Sequence, residues 1–220
     1  MAALSNQPET SFLTQRFAKL DFGLYTVIGY SVAGEESVVQ VPELNVAFDV
    51  GRGPQFMLTS DLLCLTHGHM DHVAGLAYYL SQRYFQGMKP GTILLPAELE
   101  GPVDGMLKAF QRIERQTTPY ELVPMRPGDL HKVRRDFGIR ALATHHGGPC
   151  LGFACISIRE KLKPEYQDYD GPALAKMKQE GVDIQYTLEV PTVTYLGDTG
   201  PGSVFEHDDV TQAQLLITEC

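Results

Sequence analysis

Residues 66–72 are Thr-His-Gly-His-Met-Asp-His, and the apolar run DLLCLT at Asp61–Thr66 leads directly into them. The run predicts a short buried strand, and apolar residues at helical spacing after the motif predict a helix over His72–Phe85. Four side chains that can ligate a metal therefore lie within six residues, between a strand and a helix. The alternative interpretation is a solvated polar turn that is rich in histidine by accident.

The two halves of this motif suit two different ions. His67 and His69 alternate in a loop, so both imidazoles can converge on one metal ion. Asp71 and His72 are displaced by the start of the helix, which suits a second ion nearby. Nitrogen and oxygen ligands without a thiolate favour zinc, and they also permit iron or manganese.

Two later strands offer further ligands at their carboxyl ends. The strand ALAT runs into His145-His146, and the strand TVTYL runs into Gly197-Asp198-Thr199. Open α/β sheets commonly place their sites at such strand ends. Because successive residues of a strand point to opposite faces, we expect at most one of the two histidines to be a ligand. Each of these segments is a weak signal when it is taken alone.

Composition narrows the class of protein. The 220 residues favour a single domain over residues 1–220, and the net charge of −9 counts against a general binder of polyanions. No apolar run approaches the ~18 residues that a membrane span needs, so we expect no membrane association. The four cysteines form no CxxC pair and no secretory signal is visible, which favours a reduced, cytoplasmic protein.

The remaining pattern predicts many strands and few helices. Runs of β-branched, aromatic and aliphatic residues between Gly and Pro predict strands. These runs are Leu24–Val32, Ser37–Val41, Leu44–Val50, Thr92–Leu95, Glu121–Pro124, Ile139–Thr144, Gly152–Arg159, Val190–Leu196 and Leu215–Thr218. Further helices are predicted at Glu98–Gln116 and Pro172–Gln179. The pattern indicates a mixed α/β layered domain.

HxHxDH, a later histidine and a later Gly-Asp-Thr together resemble the metallo-β-lactamase superfamily of two-metal hydrolases. Three further segments resemble short-form ribonuclease Z, the tRNA 3′-processing endonuclease, within that superfamily. They are Ala47-Phe48-Asp49-Val50-Gly51 with Gly53 and Gln55, His146 with Gly152 and Phe153, and the apolar strand Leu215–Glu219 that ends in a glutamate.

The resemblance implies an αββα sandwich, two Zn²⁺ per subunit (with Mn²⁺ or Fe²⁺ possible), precursor tRNA as substrate and a homodimer. It also implies a role for each residue that matches the motifs. His67, His69 and His146 would hold one zinc, Asp71 and His72 would hold the other, and Asp198 would bridge both. Asp71 would be the catalytic proton acceptor, and Asp49 would support the ligands without being one.

The chain departs from the family pattern in two places. The family carries a further histidine for the second metal beyond the position of Glu219, and this sequence stops at Cys220. We therefore expect the sandwich to lack its C-terminal strand and helix. The tRNA-gripping arm of the family corresponds here only to an arm-like segment at about residues 160–190.

Three functions remain open at this point. The first is a zinc-dependent endonuclease that removes the 3′ trailer from precursor tRNA. The second is a hydrolase of the same fold that acts on a thioester, a lactone or a cyclic nucleotide, which the negative net charge modestly favours. The third is a metal-binding module without catalytic activity, which the absent last ligand favours.

Overall fold

The computed structural model of the chain describes residues 17–219, and two β-sheets form its centre. The first sheet has the strand order β1-β2-β3-β4-β5-β6-β7, and the second has the order β12-β11-β10-β9-β8. The strands are Ala18–Asp21 (β1), Thr26–Val32 (β2), Glu36–Val41 (β3), Val46–Phe48 (β4), Leu62–Cys64 (β5), Gly91–Pro96 (β6), Tyr120–Met125 (β7), Leu130–Arg134 (β8), Phe137–Ala143 (β9), Leu151–Leu162 (β10), Gln185–Asp198 (β11) and Leu215–Glu219 (β12). The helices are Met70–Val73 (α1), Leu76–Phe85 (α2), Glu100–Glu114 (α3), Gly171–Gln179 (α4) and Asp208–Thr211 (α5).

The two sheets pack face to face around an apolar core. Phe48 of the first sheet stacks on Tyr195 of the second with ring centroids 4.9 Å apart, and both side chains are fully buried. The opposite face of the first sheet, with Leu63 and Ile93, packs against α2 and α3. The outer face of the second sheet packs against the segment that contains α5. The layers are therefore helix, sheet, sheet, helix, which confirms the αββα architecture over the described residues.

Strand direction brings the predicted ligands to one end of the sandwich. Strands β4, β5, β6 and β7 run parallel, so Asp49 and the loop after β5 leave the first sheet at the same edge. In the second sheet β12 runs parallel to β11, with Asp198 and Glu219 in register at their ends. The carboxyl ends of both sheets meet here, as sites in α/β folds commonly do.

The helix predicted over His72–Phe85 is broken into α1 and α2 at Gly75. A Cβ atom on Gly75 would lie 2.2 Å from the backbone nitrogen of Gly53, so only glycine fits there. The Gly75 amide donates to the carbonyl of Gly51 (2.7 Å), and the Val50 amide donates to the carbonyl of His72 (2.9 Å). The loop after β4 therefore holds the motif at residues 66–72 in place through backbone hydrogen bonds. The spacing of apolar residues does not predict these bonds.

Strands β10 and β11 are longer than the neighbouring strand β9 and extend beyond it as a two-stranded hairpin. Their pairing reaches Leu162 opposite Gln185, whereas β9 pairs with β10 only as far as Ser157. Helix α4 belongs to the segment that connects the two strands. Asp170 caps this helix by accepting a hydrogen bond from the Ala173 amide (2.9 Å). This hairpin, residues 158–189, is called the arm below.

None of the helices in residues 17–219 combines the length and the apolar character that a bilayer crossing requires.

Candidate metal centre

Four of the predicted ligands converge at the carboxyl ends of the strands. One potential ligand atom from each of His67, His69, His146 and Asp198 lies within 4.8 Å of the others. His146 Nε2 is 3.1 Å from His69 Nδ1 and 3.4 Å from Asp198 Oδ2. The loop after β5 supplies the first two side chains, the loop after β9 supplies His146, and β11 ends at Asp198.

The other two predicted ligands also lie close to Asp198. His72 Nε2 is 3.7 Å from Asp71 Oδ2 and 3.7 Å from Asp198 Oδ2. Both residues belong to α1, the short helix that begins directly after His69. The Oδ2 atom of Asp198 is therefore near both His146 of the first group and His72 of the second.

Two imidazole nitrogens in this centre are buried without a hydrogen-bond partner in the described part of the chain. They are Nε2 of His67 and Nε2 of His72. The other ring nitrogen of each histidine is occupied, because His67 Nδ1 lies 3.0 Å from the Thr66 hydroxyl and His72 Nδ1 lies 2.8 Å from Asp49 Oδ2. Buried polar atoms that lack partners are costly. A divalent cation at each atom would satisfy it, so the donor set fits such ions.

Asp49 connects the two histidines behind the centre. Its Oδ1 accepts from the Thr66 amide (2.8 Å), and the Thr66 hydroxyl lies within 3.0 Å of both carboxylate oxygens and of His67 Nδ1. Its Oδ2 faces His72 Nδ1. Asp49 is fully buried and has a left-handed backbone with φ 54°, a conformation that surrounding bonds must hold in place.

Asp71 is held from the turn between β2 and β3. The Gly34 amide donates to Asp71 Oδ2 at 2.8 Å. Partial burial raises the pKa of Asp71, but this hydrogen bond and the neighbouring histidines outweigh burial and lower the pKa below its ordinary value. The Asp71 carboxylate is therefore ionised at neutral pH and faces the centre.

The histidines differ in their tendency to hold a proton. Burial, together with the charges of His72, His69 and His146, lowers the pKa of His67 to about 3. Burial also acts to lower the pKa of His72, but the hydrogen bond and charge of Asp49 outweigh it and raise that pKa to about 9. His67 is therefore neutral at neutral pH, which is the form of imidazole that can ligate a metal, whereas His72 is protonated there in the metal-free protein.

A cleft of about 530 Å³ opens beside the centre. His146, Asp198 and Glu219 line it together with Ser31 from β2 and Thr199 from the loop after β11. The cleft therefore connects the solvent with the side chains of the candidate ligands His146 and Asp198.

The comparisons with known proteins agree with this geometry. Residues 60–161 match the model of the metallo-beta-lactamase superfamily. The chain is 34% identical to the nuclear ribonuclease Z of Triticum aestivum over 170 residues, which are 77% of this chain and 97% of that protein. The chain belongs to the ribonuclease Z family. It is also 32% identical to tRNase Z TRZ1 and 34% identical to chloroplastic tRNase Z TRZ2 of Arabidopsis thaliana, in each case over 89% of this chain. It spans 70% of the length of TRZ1 and 56% of that of TRZ2.

The name ribonuclease Z denotes a hydrolase, and the metallo-beta-lactamase fold implies that the chain binds a divalent metal. Three histidines of this chain lie outside the described ligand groups, namely His131 on β8, His145 and His207. The ring of His145 lies against Gly202, and its backbone bonds to Thr199 and Gly200. His207 caps α5 by accepting from the Asp209 amide (3.1 Å). None of the three belongs to a group of converging ligand atoms within residues 17–219.

Sequence reasoning missed several residues that support this ribonuclease Z centre. They are Gly34, which binds Asp71, and the hydroxyl groups of Ser31, Ser37 and Tyr195, which bind Glu219. These contacts join residues that are 24 to 188 positions apart in the chain. No local pattern signals them, although a tyrosine in the apolar strand before Gly197-Asp198 is a residue whose buried hydroxyl needs a partner.

Proposed function

We propose that the chain is a two-metal phosphodiester hydrolase that removes the 3′ trailer from precursor tRNA by endonucleolytic cleavage. The observation that carries the proposal is the group of four converging ligands beside the orphaned Nε2 atoms of His67 and His72. Membership of the ribonuclease Z family supports the substrate.

The proposed cofactor is two Zn²⁺ per subunit, and Mn²⁺ or Fe²⁺ would suit the same donors. One ion would be held by His67, His69 and His146, and the other by Asp71 and His72. Asp198 would contact both. When bound, such a pair of ions supplies a hydroxide nucleophile at neutral pH and stabilises the charge that grows on the phosphate oxygens.

The residues of the chain provide the proton transfer and the orientation. Asp71 is ionised and 13% exposed, so it can accept a proton from an attacking water and return it to the leaving 3′ oxygen. The Gly34 amide keeps its carboxylate directed at the centre. Asp49 fixes the two imidazoles from behind, so their Nε2 atoms need no reorganisation during the reaction.

The arm is proposed to grip RNA through exposed cations, within a single domain that spans the chain. The sequence pattern alone nominates the lysines and arginines at positions 132, 134, 135, 140, 159, 161, 163, 176 and 178. Arg140 is unsuited to this role because it pairs with Asp209 (2.9 Å) and Glu189. Lys163 is partly neutralised by Asp183 at 2.9 Å. Arg159 and Lys161 project from the exposed part of β10, and we propose them as phosphate contacts.

A role for Tyr166 and Tyr169 in stacking on RNA bases would compete with their packing against each other. The two rings contact each other edge to face with centroids 6.1 Å apart. Their hydrocarbon surfaces are therefore partly used within the arm, and the proposal assigns RNA contact to the cations first.

The decisive experiment compares substrates at one metal concentration. The protein is loaded with Zn²⁺ and offered precursor tRNA with a 3′ trailer, bis(p-nitrophenyl) phosphate and a glutathione thioester. The proposal expects cleavage at the trailer junction, with two metals per chain by elemental analysis. Thioester turnover without RNA cleavage would favour the small-molecule hydrolase, and bound metal without any turnover would favour the silent module.

The compartment and the assembly complete the proposal. Cys64, Cys150 and Cys155 are free thiols, which is in keeping with the cytoplasm as the proposed location. A homodimer is proposed because the family resemblance implies one, and light scattering of the purified chain tests it.

A further inference from the structure

The carboxylate of Glu219 is held from both sheets at once. Its Oε2 accepts from the hydroxyl groups of Ser31 (2.5 Å) and Ser37 (2.9 Å), which face each other across the β2–β3 hairpin. Its Oε1 accepts from the hydroxyl of Tyr195 on the neighbouring strand β11. Since each carboxylate oxygen has a donor, the side chain has one fixed orientation in the wall of the cleft.

The Tyr195 hydroxyl also reaches the support of the metal centre. It lies 3.2 Å from Asp49 Oδ2, the oxygen that faces His72 Nδ1 at 2.8 Å. A continuous series of polar contacts therefore runs from His72 through Asp49 and Tyr195 to Glu219. Glu219 is in register with Asp198 and lines the same cleft, so the series begins and ends at the centre.

We propose that Tyr195 is a positioning residue whose hydroxyl sets the orientation of Glu219 in the cleft wall and, through Asp49, the orientation of His72. For its catalytic consequence the inference rests on the proposed function. The hydrogen bonds of the Tyr195 hydroxyl to Asp49 and Glu219 do not depend on the substrate, so the positioning role can be tested even if the substrate is not RNA.

The chain offers a matched pair of variants for the test. Tyr195→Phe removes only the hydroxyl, because phenylalanine retains the ring that stacks on Phe48. Tyr79→Phe is the control. Tyr79 is also fully buried and donates to the Ser60 carbonyl at 2.7 Å, but it packs among the helices on the far face of the first sheet. Both variants lose one buried hydroxyl group, and only the Tyr195 hydroxyl contacts the carboxylates of the centre.

The experiment titrates each full-length protein with Co²⁺ and measures kcat and KM for bis(p-nitrophenyl) phosphate. Tyr195→Phe should lower the Co²⁺ affinity of the weaker site about 10- to 100-fold, as losses of outer hydrogen-bond partners do. Its kcat should fall by a similar factor while KM stays at the parental value. Tyr79→Phe should lower only the melting temperature.

A second pair of variants, at Ser31, distinguishes the effect of positioning Glu219 from the effect of positioning His72. Ser31 touches Glu219 but not Asp49, so Ser31→Ala should lower kcat and leave Co²⁺ affinity unchanged, and Ser31→Thr should restore kcat. Parental Co²⁺ affinity in Tyr195→Phe would overturn the positioning role, as would an equal loss of affinity in Tyr79→Phe. If the parent hydrolyses no phosphodiester, the proposed function fails, while the Co²⁺ titration still decides the role of Tyr195.

Discussion

Replacing Asp49 with asparagine tests how the metal centre is oriented. In the parent, Oδ1 accepts from Thr66 and Oδ2 faces His72 Nδ1 at 2.8 Å. Asparagine has the same shape and can keep the Thr66 contact, but its amide group would then replace Oδ2. Because an amide N–H cannot accept from an imidazole N–H, the neutral form of His72 must carry its proton on Nε2. That nitrogen is the one that faces Asp71 and Asp198.

The size of the effect follows from these contacts. A protonated Nε2 has no lone pair for a metal, so we expect the affinity of the His72 site to fall about 10- to 100-fold. That loss corresponds to about 1.4–2.7 kcal/mol of binding free energy. The free energy of unfolding should fall by about 1–3 kcal/mol, since one buried group is mismatched. Asp49→Ala leaves several buried donors unpaired and should cost about 3–5 kcal/mol.

Three measurements check this prediction. Zn²⁺ competition gives the affinity, urea unfolding of the metal-free protein gives the stability, and imidazole ¹⁵N shifts give the tautomer of His72. Asp61→Asn is the control, because Asp61 binds Arg83 and Asn45 at the opposite end of β5. That variant should lose stability without losing metal. Parental affinity in Asp49→Asn, or a proton that remains on Nδ1, would refute the reasoning.

Three further predictions concern single side chains. Asp71→Ala should lower turnover about 10²–10⁴-fold with little change in melting temperature, and parental turnover would remove it from the mechanism. His146→Ala should reduce bound metal in elemental analysis far more than His145→Ala, and the reverse order would contradict the observed register. Lys161→Glu should weaken precursor tRNA binding at low salt more than Lys163→Glu, because Asp183 already pairs with Lys163. Equal losses on bis(p-nitrophenyl) phosphate would instead point to a folding defect.

The sequence predicted the inner strands well because burial constrains them, and it predicted the convergence of the candidate ligands because these residues directly follow such strands. Leu62 and Cys64 face the other sheet while Leu63 faces the helices, so β5 is apolar throughout and easy to recognise. The motif after it needs little long-range information, since four ligands lie within six residues. The direction of parallel strands then brings Asp198 to the same edge.

The strands that sequence reasoning missed are edge strands. β1 (Ala18–Asp21) and β8 (Leu130–Arg134) lie at the margins of the two sheets. All four residues of β1 are exposed, and β8 carries the charged pattern LHKVR without a buried residue. Edge strands are held by backbone pairing on one side and are protected by charge, so their side chains carry no alternation to detect.

The family resemblance implied the supporting role of Asp49, but its partners could not be predicted, for a different reason. Asp49, Tyr195 and Glu219 meet through hydrogen bonds that depend on how the two sheets slide past each other. Such a network is costly when it is half satisfied, because an unpaired polar group in a low-dielectric interior has no water to bind. Several relative positions of the two sheets would fill the apolar core equally well. Few of them would let Asp49, Tyr195 and Glu219 all form their hydrogen bonds. The polar network therefore favours one registry of the sheets, and the same registry brings Asp198 close to both His72 and His146.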